Sequence, residues 1–291
     1  MSQIVLKNDT IAVTIDTAGA EMTSIRSAAG KEYLWSGDPQ YWKRHAPVLF
    51  PLVGSVWNKE FRVGDQTYTM GQHGFARDME FAVLSASETE CWFRLTSNEE
   101  TWAKFPYEFV LDIGYRLSEN SVENIWRVTN PADQPLHFSI GGHPAFVCPQ
   151  KPGEKQTDYS LWFDTAEPMT SAIIREGGCI SQEKKTIVTK DGYLPIDAHL
   201  FDDDALIIEH DQCHQVALVN PAGEKYLTVS FTAPLFGVWS CPGKNAPFVC
   251  IEPWYGRCDA MHYEGSWEER AWGNVLQAGE TFEGAFTVEI A

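Results

Sequence analysis

Two histidines and one glutamate lie where a side chain suits proton transfer better than packing. His143 occurs in Ser139-Ile140-Gly141-Gly142-His143-Pro144-Ala145-Phe146. The glycine pair permits unusual backbone angles and the proline removes an amide donor, so this imidazole is expected on a shaped, non-strand backbone facing a cleft. Glu252 ends the apolar run Phe248-Val249-Cys250-Ile251-Glu252, just before Pro253-Trp254. A carboxylate at the end of a buried strand is desolvated, which raises its pKa toward the range of a general base. Pro253 is expected to stop that strand, and Trp254 to supply an aromatic surface. His73, in Gln72-His73-Gly74-Phe75-Ala76-Arg77-Asp78, precedes a glycine that suits a bend admitting a ligand to the backbone. The polar residues of Arg44-His45-Ala46-Pro47-Val48-Leu49-Phe50-Pro51 likewise follow no strand alternation.

Each residue also has a plainer reading. An isolated histidine is more often a hydrogen-bonded loop residue than a catalyst. Glu252 could be half of a structural ion pair with Arg44 or Arg77, and Arg77 could pair with its neighbour Asp78 at the surface. Asp202-Asp203-Asp204 is by default a solvated turn. Two glycine-flanked histidines together with a strand-end glutamate favour chemistry.

The elements that must position these groups read as strands. Short β-rich stretches ended by Gly, Asn, Asp or Pro recur at Ile11–Asp16, Phe109–Leu117, Ser121–Thr129, Tyr226–Thr232 and Phe282–Ile290. Gly64-Asp65 and Ser118-Glu119-Asn120 each separate two such stretches, predicting hairpins. Helix-tolerant segments such as Thr101–Lys104 and Ser266–Trp272 are short, so the fold is expected to be almost all β. Gln150–Asp158 and Glu176–Asp191 read as long surface loops within one domain spanning residues 1–291.

Composition narrows the partners. A formal charge of -18 would repel a phosphate backbone and disfavours anionic membrane surfaces, so neither nucleic acid nor membrane is expected. The N-terminal residues do not read as a signal peptide and no apolar run is long enough to span a bilayer, predicting a cytoplasmic protein. The seven cysteines are irregularly spaced, with no C-x-x-C pair, so neither a zinc site nor a disulfide framework is expected. The oligomeric state is not legible.

The segments APVLFPLVG, QHGFARD, GGHPAF, FDDDALI and APFVCIEPW followed by YGRCDA resemble, in this order, the galactose-mutarotase-like superfamily, specifically its LacX-like aldose 1-epimerase-related branch. The resemblance covers essentially the whole chain. It implies an antiparallel β-supersandwich with a sugar site on its concave face, and interconversion of the α and β anomers of a free aldose with no metal or other cofactor. It implies His143 as general acid, Glu252 as general base, and His73 as a hydrogen-bond partner of the sugar near its ring oxygen. Arg44 and Arg77 match basic residues lining the site, and Asp204 a carboxylate binding sugar hydroxyls. With a protonated acid and an ionised base, activity should fall at both low and high pH. Three rivals remain: a hexose-6-phosphate 1-epimerase in which Arg44 and Arg77 hold the phosphate; a non-catalytic sugar-binding protein; and a glycoside hydrolase or lyase in which Asp259 or Asp204 supplies a second carboxylate.

Overall fold

A computed structural model describes residues 2–291. Two large antiparallel sheets carry most of the chain. The nine-stranded sheet runs in the spatial order Tyr193–Pro195, Ser160–Phe163, Gln215–Val219, Lys225–Phe231, Thr281–Ile290, Ser121–Thr129, Val110–Ser118, Glu90–Thr96, Ala82–Ala86. The eight-stranded sheet runs Ile180–Ile187, Met169–Ile174, Leu206–Ile208, Leu235–Trp239, Phe248–Tyr255, Ile140–Gly142, Val48–Leu49, and Ala145–Val147 also pairs with Phe248–Tyr255. This is the all-β antiparallel supersandwich that the sequence implies.

Side-chain alternation explains how the sheets stack. In the hairpin Val110–Ser118/Ser121–Thr129, Leu111, Ile113, Tyr115, Val122, Trp126 and Val128 are buried in one cluster with Phe236, Val238, Val249 and Ile251 of the other sheet. Successive side chains of a strand face opposite ways. On Phe248–Tyr255, Val249 and Ile251 therefore enter the inter-sheet core, whereas Phe248, Cys250 and Trp254 belong to two smaller clusters. A strand covered on both faces reads as a continuous apolar run, as Phe248 to Ile251 does.

Both expected hairpins form, as Glu60–Val63 with Gln66–Thr69 and as Val110–Ser118 with Ser121–Thr129. Three local expectations are corrected. The stretch 176–191 is not one loop: Ile180–Ile187 is the edge strand of the eight-stranded sheet, and its exposed outer residues hide the signal. Ser266–Trp272 is turns, not helix, while a single helical turn forms at Glu99–Trp102, capped by Asn98. Pro253 does not stop its strand, which continues to Tyr255. The Ile251 amide donates to Pro144 O, 3.3 Å away. By alternation the Pro253 nitrogen faces the same flank, where the neighbouring strand is interrupted between Gly142 and Ala145.

Candidate active site

That interruption positions His143. Ile140–Gly142 and Ala145–Val147 both pair with Phe248–Tyr255, and the His143-Pro144 link between them belongs to neither ladder. Its amide is held by Pro47 O at 3.1 Å. Glu252, opposite Gly237 of the adjacent strand, points to the face away from the inter-sheet core. The two side chains meet there, with His143 Nε2 3.2 Å from Glu252 Oε2, at 9% and 2% side-chain exposure.

They sit in a cavity of about 390 Å³ that Trp42, Lys43, Arg44, Gln72, His73, Arg77, Asp204, Trp239 and Trp254 also line. All six residues singled out in the sequence are thus brought together. Trp42 stacks on the His143 ring at 4.7 Å between centroids, and Trp239 meets it edge-on at 5.6 Å. Neither tryptophan is distinguishable by sequence pattern from the other nine. Trp254 lies in a slot cut by two glycines: a Cβ on Gly141 or on Gly237 would come within 2.6 Å of its indole.

His73 adopts φ 65°. Its amide donates to Gly54 O at 2.7 Å, and the Gly54 amide donates to His73 Nδ1 at 3.1 Å. Nδ1 is therefore an acceptor, and the neutral ring carries its proton on Nε2 as the donor left for a ligand. Asp204 is the cavity member of its triplet, because His199 takes Asp202 and Arg175 takes Asp203, each at 2.7 Å. Its Oδ1 accepts from the Ala205 amide at 2.7 Å. Although Asp204 is open to solvent, the protein around it still pushes its carboxyl up.

The expected ion pairs are rearranged. Arg44, not Arg77, pairs with Asp78 at 2.8 Å, and Arg77 donates to Gln72 O at 2.6 Å. Neither arginine pairs with Glu252, whose partner is His143. Arg77 Nε is buried without a partner, and burial together with the neighbouring Arg44 holds Arg77 down to about 10.

Burial drives both members of the central pair toward their neutral forms. It pushes His143 down, with Arg77 and Arg44 adding to the effect, and pushes Glu252 well above the usual carboxylate range, with Asp204 adding to that. Trp254 Nε1, buried in the same wall, makes no hydrogen bond. Burial also pushes His73 well below an ordinary histidine, with His143 adding to the effect. A neutral imidazole beside a carboxylic acid holds the same protons as an imidazolium beside a carboxylate, so one hop across 3.2 Å converts one into the other.

Comparison with known proteins agrees with this architecture. The chromosomal LacX protein of Lactococcus lactis subsp. lactis is 35% identical over 283 residues, covering 94% of this chain and 91% of its own. The galactose mutarotase related enzyme of Lactobacillus acidophilus superposes with a TM-score of 0.93 at 32% identity, over 100% of this chain and 97% of its own. A galactose mutarotase-like protein of Lactobacillus casei gives 0.92 at 30% identity, over the full length of both. The family model described as aldose 1-epimerase matches residues 2–288, and the chain belongs to that family, in its LacX-like branch.

Proposed function

We propose that the protein is an aldose 1-epimerase that interconverts the α and β anomers of a free aldohexose. The observation that carries this reading is the buried His143–Glu252 contact in the wall of a sugar-sized cavity. The anomeric O1 and the ring O5 of a pyranose share one carbon, so opening the ring needs an acid and a base side by side. Glu252 takes the O1 proton, the C1–O5 bond breaks as C1=O1 forms, and His143 Nε2–H protonates O5. The pair is then neutral, the form that burial favours, and the charged form that opens the ring is reached from it by the one-proton hop across 3.2 Å. Rotation about C1–C2 presents the other carbonyl face and the transfers reverse. His73 Nε2–H donates to the sugar near its ring oxygen, Asp204 accepts from hydroxyls, and Trp42, Trp239 and Trp254 offer ring faces to the C–H face of the pyranose.

The glycosidase reading loses one of its second carboxylates, because Asp259 is committed to Arg270 at 2.6 Å. A binding module alone has no use for a desolvated acid–base pair. The phosphosugar reading keeps a specific support: Arg44 and Arg77 stand close together on the cavity wall with Lys43, and Arg77 Nε has no partner. All seven cysteines are free and buried, which suits a reducing compartment, and we place the protein in the cytoplasm. Among the described residues no helix is long and apolar enough to cross a membrane.

The test follows anomeric equilibration of freshly dissolved α-glucose, α-galactose and glucose 6-phosphate by polarimetry or NMR. Acceleration of a free sugar, lost in both His143→Ala and Glu252→Gln, is the expected result. Acceleration confined to the phosphosugar, and lost in Arg77→Met, would replace it with the phosphosugar reading. No acceleration of any aldose would overturn the catalytic assignment.

A further inference from the structure

Cysteine spacing gives no metal motif because such patterns register ligands that are neighbours in sequence. The sheet instead gathers donors from separate segments. Cys250 and Glu252 are two residues apart on one strand and so project from the same face, and the strand break at His143 sets the imidazole against them. One His143 ring nitrogen, Cys250 Sγ and one Glu252 carboxylate oxygen all lie within 4.8 Å of one another. The three residues are 7%, 0% and 1% exposed. Beside them, His143 Nδ1 and Trp254 Nε1 are buried polar atoms with no hydrogen-bond partner, so this side of the cavity is incompletely satisfied by the protein.

We infer that His143, Cys250 and Glu252 form a binding site for a thiophilic divalent cation of the Zn²⁺ type, which when filled takes the proton relay out of action. Thiolate, imidazole and carboxylate are the donor types of zinc, and three protein ligands leave a fourth position for water or another small ligand. Magnesium and calcium favour six or more oxygens and find only one carboxylate in this cluster. Charge favours the assembly as well. A thiolate and a carboxylate together carry two negative charges, which a dication cancels, so surroundings hostile to either anion alone accept the neutral complex. Binding releases the thiol proton, and any proton on Glu252, to solvent, with no change of oxidation state. Both groups of the proton relay become ligands, so the ion blocks ring opening; that consequence rests on the proposed function, whereas the site itself does not.

The experiment titrates Co²⁺ into the full chain and reads the thiolate-to-cobalt charge-transfer band in the near ultraviolet. The wild type should develop the band, Zn²⁺ should displace it and Mg²⁺ should not. Cys250→Ser should abolish it, and His143→Ala should weaken cobalt affinity by at least about tenfold, the scale on which even outer-sphere changes act. No band in the wild type, or a band that survives in Cys250→Ser, would overturn the site. Should Cys250→Ser fail to fold, the His143→Ala affinity carries the decision alone, an unchanged value rejecting the site. Anomeric equilibration with and without Zn²⁺ separates the two proposals. A band without acceleration of any sugar leaves the ion site standing and removes the catalytic reading. Acceleration without a band does the reverse.

Discussion

Two buried charge-bearing pairs occupy neighbouring parts of the molecule and are built to opposite specifications. Asp259 and Arg270 meet at 2.6 Å with 4% and 3% side-chain exposure. Both are held further: Asp259 Oδ2 accepts from the Trp57 amide at 3.0 Å, Arg270 Nη2 donates to Arg257 O at 2.9 Å, and the guanidinium lies 4.6 Å from the centre of the Trp267 ring. His143 and Glu252 are about as buried, yet meet at 3.2 Å and leave His143 Nδ1 without a partner. A buried pair with its hydrogen bonds satisfied holds chain segments in place; one left under-satisfied beside a cavity has free capacity for a ligand. The first ties the segment after Phe248–Tyr255 to the 57 and 270 regions, and Cys258 beside it lines the cavity. The rigid pair thus anchors chain segments beside the cavity and itself lines none of it.

The comparison breaks most sharply at Glu252. Glu252→Gln keeps the shape and removes the titrating group, so the rate of anomeric equilibration should fall by about 10²–10⁴-fold. The same substitution removes a carboxyl held in surroundings that resist its ionisation, so the urea midpoint should hold or rise. A large loss of stability without loss of rate would mean that His143–Glu252 is the structural pair. Asp259→Ala should do the opposite. It strands Arg270 as an uncompensated buried charge and should cost about 3–5 kcal/mol in urea unfolding, while the rate per folded molecule stays near wild type. A stability change within about 0.5 kcal/mol would put Asp259 among ordinary surface substitutions and undo the contrast.

What the sequence discloses about the two pairs differs in the same way. His143 and Glu252 announce themselves because their contexts violate the local rule, a histidine between glycine and proline and a carboxylate on an apolar strand. Asp259 carries no such mark, and Arg270 lies in a stretch that reads as helix and folds as turns. The long hairpins are legible from alternation and turn residues, since both strands and the turn are local. Ile180–Ile187 is not, because an edge strand with exposed polar residues follows no core pattern. Trp42 is illegible for a different reason. Its stacking on His143 depends on a loop packing across the sheet, which no periodicity encodes.

The smallest effect concerns the pH dependence of stability. Burial holds His73 and His143 below the ordinary 6.5, so the folded chain resists protons that the unfolded chain accepts. Their contribution is complete above about pH 6.5 and is lost as the pH falls below it, by up to about 1.4 kcal/mol per pH unit for each histidine. Glu252 acts with the opposite sign. Raised above its ordinary 4.5, it contributes fully below that value and loses the contribution as the pH climbs through the folded-state pKa. Urea midpoints measured across pH should therefore show a shallower acid limb in His73→Gln than in the wild type, and a shallower alkaline limb in Glu252→Gln. If both variants keep the wild-type slopes, these groups titrate alike in the folded and unfolded chains. Burial would then not be holding His73 and Glu252 neutral, and a neutral resting form of the His143–Glu252 pair would lose its support from Glu252.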